Sequence, residues 1–192
     1  MGKEYSENFY KNAKAGCTFS MKTIFDARVE GEENIPEEGP VVLVGNHISI
    51  IDIPFLYYAS PREVRIMGKK EIFKIPVLST MAQKMGAFPV DRGNNDIQAV
   101  KRSLATLRNG EVLGIFAEGH RNNGEELLPF HEGAATFAIR MKAPVVPFGI
   151  SGEYHIRSGI ILRFGEAIQF AGCKADEATE YIRNKVMELK RR

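Results

Sequence analysis

The chain reads Val41-Val42-Leu43-Val44-Gly45-Asn46-His47-Ile48-Ser49-Ile50-Ile51-Asp52-Ile53-Pro54, an aliphatic run that breaks into polar residues before apolar sequence resumes at Phe55-Leu56-Tyr57. Val41 to Val44 are apolar at every position rather than at alternate ones, the pattern of a strand buried on both faces of a sheet. Pro54 suits a first helical position and predicts a helix starting near it. A buried strand running into a helix is the repeating unit of α/β architecture.

The same alternation continues in both directions. Further strand-like runs lie at Arg28–Glu30, Val64–Met67, Ala87–Val90, Val112–Ala117, Val145–Ile150 and Ile160–Phe164. Between them, Asp96–Asn109 reads as a helix with Asn95 as cap, Ile97, Val100, Leu104 and Leu107 on one face, and Gly110 as stop. Ala134, Ala135, Ala138 and Met141 mark a second helix ended before Pro144, and Ala178, Ile182, Val186 and Leu189 mark the last. The expectation is an α/β fold: a single domain with a mixed, largely parallel central sheet flanked by helices, plus an N-terminal amphipathic helix.

Composition bounds the rest. The 192 residues are 44% hydrophobic and 26% charged, values of a globular domain rather than a disordered chain. With 26 Lys and Arg against 24 Asp and Glu, the net charge of +2 gives no global basic field and no sign of nucleic acid. Cys17 and Cys173 are too few for a disulfide framework or zinc cluster and suit a reducing compartment. No apolar run approaches the roughly 18 residues of a spanning helix, and no signal peptide is expected. Glu30, Glu32, Glu33, Glu37 and Glu38 form an acidic stretch, while Arg183, Lys185, Lys190, Arg191 and Arg192 make a basic end; both read as solvated surface.

Residues 1–28 form a unit apart from the domain at 29–192. On a helix, Phe9, Tyr10, Ala13, Cys17, Met21, Ile24 and Phe25 share one stripe, opposite Lys11, Thr18, Lys22 and Asp26. Such a helix either packs on the domain's core or contacts a membrane, and Phe19 on its polar side is odd for a simple core helix.

Chemistry gathers where strands end. His47 and Asp52 lie about 140° apart on a regular helix, so they meet only if the chain turns sharply between strand and helix. At the carboxyl end of a sheet strand, a His held by an Asp is a general base of fixed orientation, though the segment alone reads as well as a His capping the strand end and an Asp capping the helix. Asp91-Arg92 follows Ala87–Val90, and Glu118-Gly119-His120-Arg121-Asn122 follows the run ending at Ala117. Together these place a base, two arginines and a Glu at successive strand ends, as an anionic substrate requires.

At these residues the sequence resembles the 1-acylglycerol-3-phosphate acyltransferases and related glycerolipid acyltransferases. Asn46 to Asp52 is their first motif, Asn-His-x-Ser-x-x-Asp, complete, and Glu33-Asn34-Ile35-Pro36 with Gly39-Pro40 is similar to their lead-in. Gly68-Lys69-Lys70-Glu71-Ile72-Phe73-Lys74-Ile75-Pro76 is similar to their Ala-Lys-x-Glu-Leu segment, and Gly86 to Arg92 resembles the second motif. Phe116-Ala117-Glu118-Gly119-His120-Arg121 resembles the third and Ala143 to Ile150 the fourth. The likeness runs from about Arg28 to about Gly165. Ala117, His120 and Asn122 depart from the usual proline, threonine and serine, and Phe130-His131-Glu132-Gly133-Ala134 loses a positive charge.

The resemblance implies an O-acyltransferase in phospholipid biosynthesis. His47 takes the proton of a lysophosphatidic acid hydroxyl attacking an acyl thioester, Asp52 holds the imidazole, and phosphatidic acid results. Lys69, Arg92 and Arg121 are the implied phosphate ligands, with Glu118 orienting a cation or a hydroxyl and Gly119 beside it. Backbone N–H groups near the helix start are the expected oxyanion donors. Acyl-CoA or acyl-carrier protein serves as co-substrate, with no other cofactor and no metal. A peripheral protein at the cytoplasmic face of a membrane is implied, attached by the stripe from Phe9 to Phe25 with help from the basic end near Lys190. Ser49 reads as a cap, not a nucleophile, and Gly149-Ile150-Ser151-Gly152 falls short of a hydrolase elbow. A non-catalytic lipid-phosphate binding module shares the cations without needing His47.

Overall fold

β2 (Val41–Gly45) is buried at every residue, and side chains alternate across it: Leu43 enters one core, Val42 and Val44 the other. In the computed structural model, residues 5–91 and 96–192 are described. Around β2 stand β1 (Arg28–Glu30), β3 (Val64–Lys69), β4 (Phe88–Val90), β5 (Val112–Phe116), β6 (Val145–Ser151) and β7 (Ile161–Phe164). They form one sheet ordered β1-β7-β6-β2-β5-β3-β4. Every pairing is parallel except that of β6 with β7. All seven expected strands are present, with ends shifted by one or two residues.

One core joins α1 (Glu7–Ile24) and α2 (Asp52–Ala59) to the sheet through Tyr10, Met21, Phe55, Leu56 and Phe148. The other packs α4 (Ile97–Arg108), α5 (Gly133–Met141) and α6 (Ala175–Arg191) through Leu107, Ala135, Phe137 and Ile182. Each Leu, Ile, Phe or Met among them contributes about 1.5–3 kcal/mol on burial. Gly45 ends β2 because a Cβ there would meet the Phe148 ring at 2.2 Å.

Several expectations are corrected. α2 begins at Asp52, so Pro54 falls inside its first turn, where a missing N–H leaves no helical bond unmade. The cap of α4 is Asp96, whose carboxylate accepts from the N–H groups of Gln98 and Ala99; Asn95 and Arg92 lie outside the described residues. The stripe expected on α4 divides: Ala99, Ser103, Thr106 and Leu107 face the core, while Ile97 and Val100 stay exposed beside a cavity. α3 (Pro76–Lys84) was not anticipated, and none of its residues is buried.

Most of the stripe of α1 packs on protein, while Ile24 stays exposed. Tyr10 and Met21 are buried, with Phe9, Ala13 and Phe25 packed against the same core, and the Val64 N–H donates to the Tyr10 hydroxyl at 2.9 Å. Nor is the basic end free. The Arg183 guanidinium donates to the carbonyls of Leu127 and Leu128, Lys190 donates to those of Gly124 and Glu125, and Arg191 pairs with Glu126. Among the described residues no helix is long and apolar enough to cross a membrane.

Candidate active site

β2 delivers Asn46 and His47 to the carboxyl edge of the sheet, and the chain then turns through Ile48–Ile51 into α2. That turn closes the gap a continuous helix leaves open. His47 Nδ1 lies 2.7 Å from Asp52 Oδ2, with Asp52 fully buried and His47 nearly so. A carboxylate only accepts, so in the neutral imidazole Nδ1 carries the proton and Nε2 keeps its lone pair. Asp52 Oδ2 also accepts from the N–H groups of Ile48 at 2.6 Å and Ser49 at 2.9 Å, which fixes the carboxylate in the turn it closes. The His47 ring stacks on Phe116, centroids 4.3 Å apart.

The turn's own amides are mostly spent. Ile51 N–H donates to Ser49 Oγ, Asp52 N–H to the Ser49 carbonyl and Ile53 N–H to the Ile50 carbonyl. Among the described residues only the Ile50 N–H is uncommitted between Ile48 and Ile53, which narrows the oxyanion donors expected at the helix start. Ser49 Oγ is tied to the backbone, in keeping with a cap.

Two side chains build the frame. Asn46, fully buried, donates to the Ile150 carbonyl at 3.0 Å and accepts from the Ile150 N–H at 2.7 Å. Its carboxamide thus prolongs the β2–β6 ladder beyond the last backbone pair. Glu118, also buried, accepts from the His47 N–H through Oε1, and from the Leu128 N–H and Asn122 amide through Oε2. Asn122 N–H returns a bond to the His47 carbonyl at 2.7 Å. Glu118 therefore bridges two loops through backbone N–H groups and, among the described residues, touches no cation. Gly119 turns at φ +71°, where a Cβ would meet His131 Nε2 at 2.7 Å.

Of the remaining expected residues, Arg121 and Lys69 fall at the same edge, and Arg92 lies outside the described residues. Arg121 is exposed and, among the described residues, unpaired; it precedes the Asn122 that binds His47. His120 is exposed beside it. Lys69 ends β3, exposed, its Nζ 3.8 Å from Glu71. A cavity of about 700 Å³ opens between α4 and α5, lined chiefly by Met67, Val90, Ile97, Val100, Phe116 and Phe137, with Gly119 and His131 on its wall. Neither His47 nor Asp52 lines it, but Phe116, the ring on which His47 rests, forms part of its wall.

Sequence reasoning missed Tyr154. Its hydroxyl donates to Asp52 Oδ1 at 2.6 Å, the one oxygen that the turn leaves unsatisfied. Burial first, then the charge and hydrogen bond of Asp52, push the Tyr154 pKa far up, so the hydroxyl remains a donor. The ring packs edge-on against Phe25 and Phe55. Nothing in Gly152-Glu153-Tyr154-His155 announces this contact.

Known proteins can now be set beside this geometry. Residues 26–151 match the family described as Acyltransferase. The 1-acyl-sn-glycerol-3-phosphate acyltransferase of Bacillus subtilis is 33% identical over 71% of this chain and 70% of that protein. The chloroplastic 1-acyl-sn-glycerol-3-phosphate acyltransferase BAT2 of Brassica napus is 30% identical over 92% of this chain, which spans 54% of the relative's length. The crystal structure of the Thermotoga maritima 1-acyl-sn-glycerophosphate acyltransferase shares the fold, with a TM-score of 0.75 at 24% identity over 95% of this chain and 76% of that one. By the matched span, the identity with its relatives and the shared fold, the chain belongs to the acyltransferase family and is an O-acyltransferase.

Proposed function

We propose that this acyltransferase moves an acyl chain from an acyl thioester, of coenzyme A or of acyl-carrier protein, to the free hydroxyl of 1-acylglycerol 3-phosphate, giving phosphatidic acid. One observation carries the reading: a buried His–carboxylate pair at the strand ends whose imidazole stacks on Phe116, a wall residue of a largely apolar cavity. The names of the Bacillus and Brassica relatives support the acceptor.

His47 Nε2 takes the hydroxyl proton as that oxygen attacks the thioester carbonyl, and Asp52 stabilises the imidazolium. Collapse of the tetrahedral intermediate expels the thiolate, which recovers the proton from His47. No acyl-enzyme is needed. The aliphatic and aromatic walls between α4 and α5 suit an acyl chain. Arg121 meets the phosphate, with Lys69 and Arg92 as further cations, since a guanidinium fork matches phosphate oxygens. Because acceptor and product are lipids, the protein works peripherally at the cytoplasmic face of a membrane.

The test is transfer of labelled acyl groups to lysophosphatidic acid, with acyl-CoA and acyl-carrier protein offered in parallel and glycerol 3-phosphate and other lysophospholipids as competing acceptors. His47→Ala is expected to abolish transfer while leaving the fold intact; wild-type turnover by that variant refutes the mechanism. Binding of lysophosphatidate by an inert wild type would mark a binding module instead.

A further inference from the structure

We propose that the 3-10 turn Lys70–Lys74 and α3 form a docking surface for an anionic lipid bilayer. Most of the amphipathic stripe of α1 packs on the core, which leaves little of it for a bilayer. α3 supplies what α1 lacks. Ile75 is 51% exposed, Val77 69%, Leu78 42% and Met81 49%, on a helix with no buried residue at all. These side chains do nothing for the core, and four exposed aliphatic groups within seven residues form a patch of the kind that marks an interaction site.

Charge selects the partner. From Lys70 to Lys84 the chain carries Lys70, Lys74 and Lys84 against Glu71; Lys70 pairs with Asp91 and Lys84 lies over the Phe9 ring, which leaves Lys74 for a partner. Lys74 makes no ion pair among the described residues. Aliphatic side chains flanked by lysine are the composition of an interfacial lipid-binding helix, and the lysines add attraction to anionic head groups. The exposed part of the ridge has none of the aromatic or arginine anchors that carry protein interfaces.

Position completes the argument. β2 and β3 both run parallel to β5, so the turn leaving β3 emerges at the same sheet edge as His47. Ile50, inside the turn that closes the dyad, is itself 54% exposed. α3 starts at that edge and runs back toward the start of β4, so a bilayer on the turn and the first residues of α3 lies on the His47 side of the sheet. The choice of lipid as partner leans on the proposed lipid acceptor; the surface does not, and the test separates the two.

Full-length protein is to be floated with phosphatidylcholine vesicles with and without phosphatidylglycerol, at low and high salt. Wild type should bind the anionic vesicles and lose binding with salt. The triple variant Val77→Ser, Leu78→Ser, Met81→Gln should bind them at least about tenfold more weakly, with an unchanged thermal midpoint because none of the three is buried. Lys74→Glu should weaken binding and flatten its salt dependence. Phe19→Ser, on the outer side of α1, should change little. The proposal is overturned if the triple variant binds like wild type, if wild type binds no vesicle, or if the ridge instead captures acyl-carrier protein. Turnover of monomeric lysophosphatidate reports separately on the activity, and the triple variant should match wild type there. Loss of vesicle binding in the variant, with a wild type that never transfers acyl groups, would leave the docking surface standing and remove the proposed reaction.

Discussion

Replacing Tyr154 by Phe removes one hydroxyl from a packed ring and leaves the contacts with Phe25 and Phe55 in place. What is lost is the 2.6 Å hydrogen bond to Asp52 Oδ1, in a carboxylate with no solvent exposure. A hydrogen bond to a charged group contributes about 1.5–3 kcal/mol, equivalent to roughly a 10- to 150-fold change if expressed wholly in the transition state. The resting site shares the same bond, so the loss in kcat should sit near the lower bound, about tenfold. KM for both substrates should hold, since Tyr154 touches neither the cavity wall nor Arg121. Because burial and the Asp52 charge hold the hydroxyl protonated, wild type should show no alkaline loss from tyrosine ionisation, and the ratio of wild type to variant should stay flat as pH rises. The assay is steady-state acyl transfer across the neutral and alkaline range, with circular dichroism to confirm folding. A folded Tyr154→Phe enzyme with wild-type kcat, or one altered only in KM, refutes the role assigned to this hydroxyl.

Two further outcomes follow from the frame and the caps. Asn46→Ala leaves the buried N–H and carbonyl of Ile150 without partners; at about 1–3 kcal/mol for each orphaned group, chemical denaturation should show a loss of about 2–5 kcal/mol. Asp96 has its pKa lowered, chiefly by the hydrogen bond from the Ala99 N–H and also by those from Asp91 and Gln98. A carboxylate with a depressed folded value stabilises α4 above its unfolded value and stops doing so as pH falls through the folded one. Protection of the Ala99 amide against exchange should therefore persist to below the usual carboxylate range in wild type, and lose this pH dependence in Asp96→Asn.

The strands were legible because burial on both faces leaves an uninterrupted apolar run, as in Val41–Val44. The dyad was legible because its two members share one short segment with a recognisable pattern. Tyr154 was not, since it reaches Asp52 across 102 residues and only the parallel pairing of β2 with β6 brings them together. α3 escaped for the opposite reason: with no buried residue it has no stripe to detect. The stripe on α1 was seen, but periodicity states that a face is covered and not what covers it; α2 turned out to be the cover. Glu118 was seen at a strand end, yet its charge satisfies backbone N–H groups rather than a side-chain cation, a choice made by loop geometry that sequence spacing does not encode.

The bridge at Glu118 has a consequence for how such an enzyme changes its substrate. One carboxylate holds the amide of His47 with one oxygen and the far loop at Leu128 with the other, so neither loop can be redrawn without disturbing the base. Variation is thereby steered to the side chains that hang off the bridge without supporting it. His120 and Arg121, exposed between Gly119 and Asn122, can be exchanged while the dyad stays in register, and under the phosphate role proposed for Arg121 acceptor preference changes there.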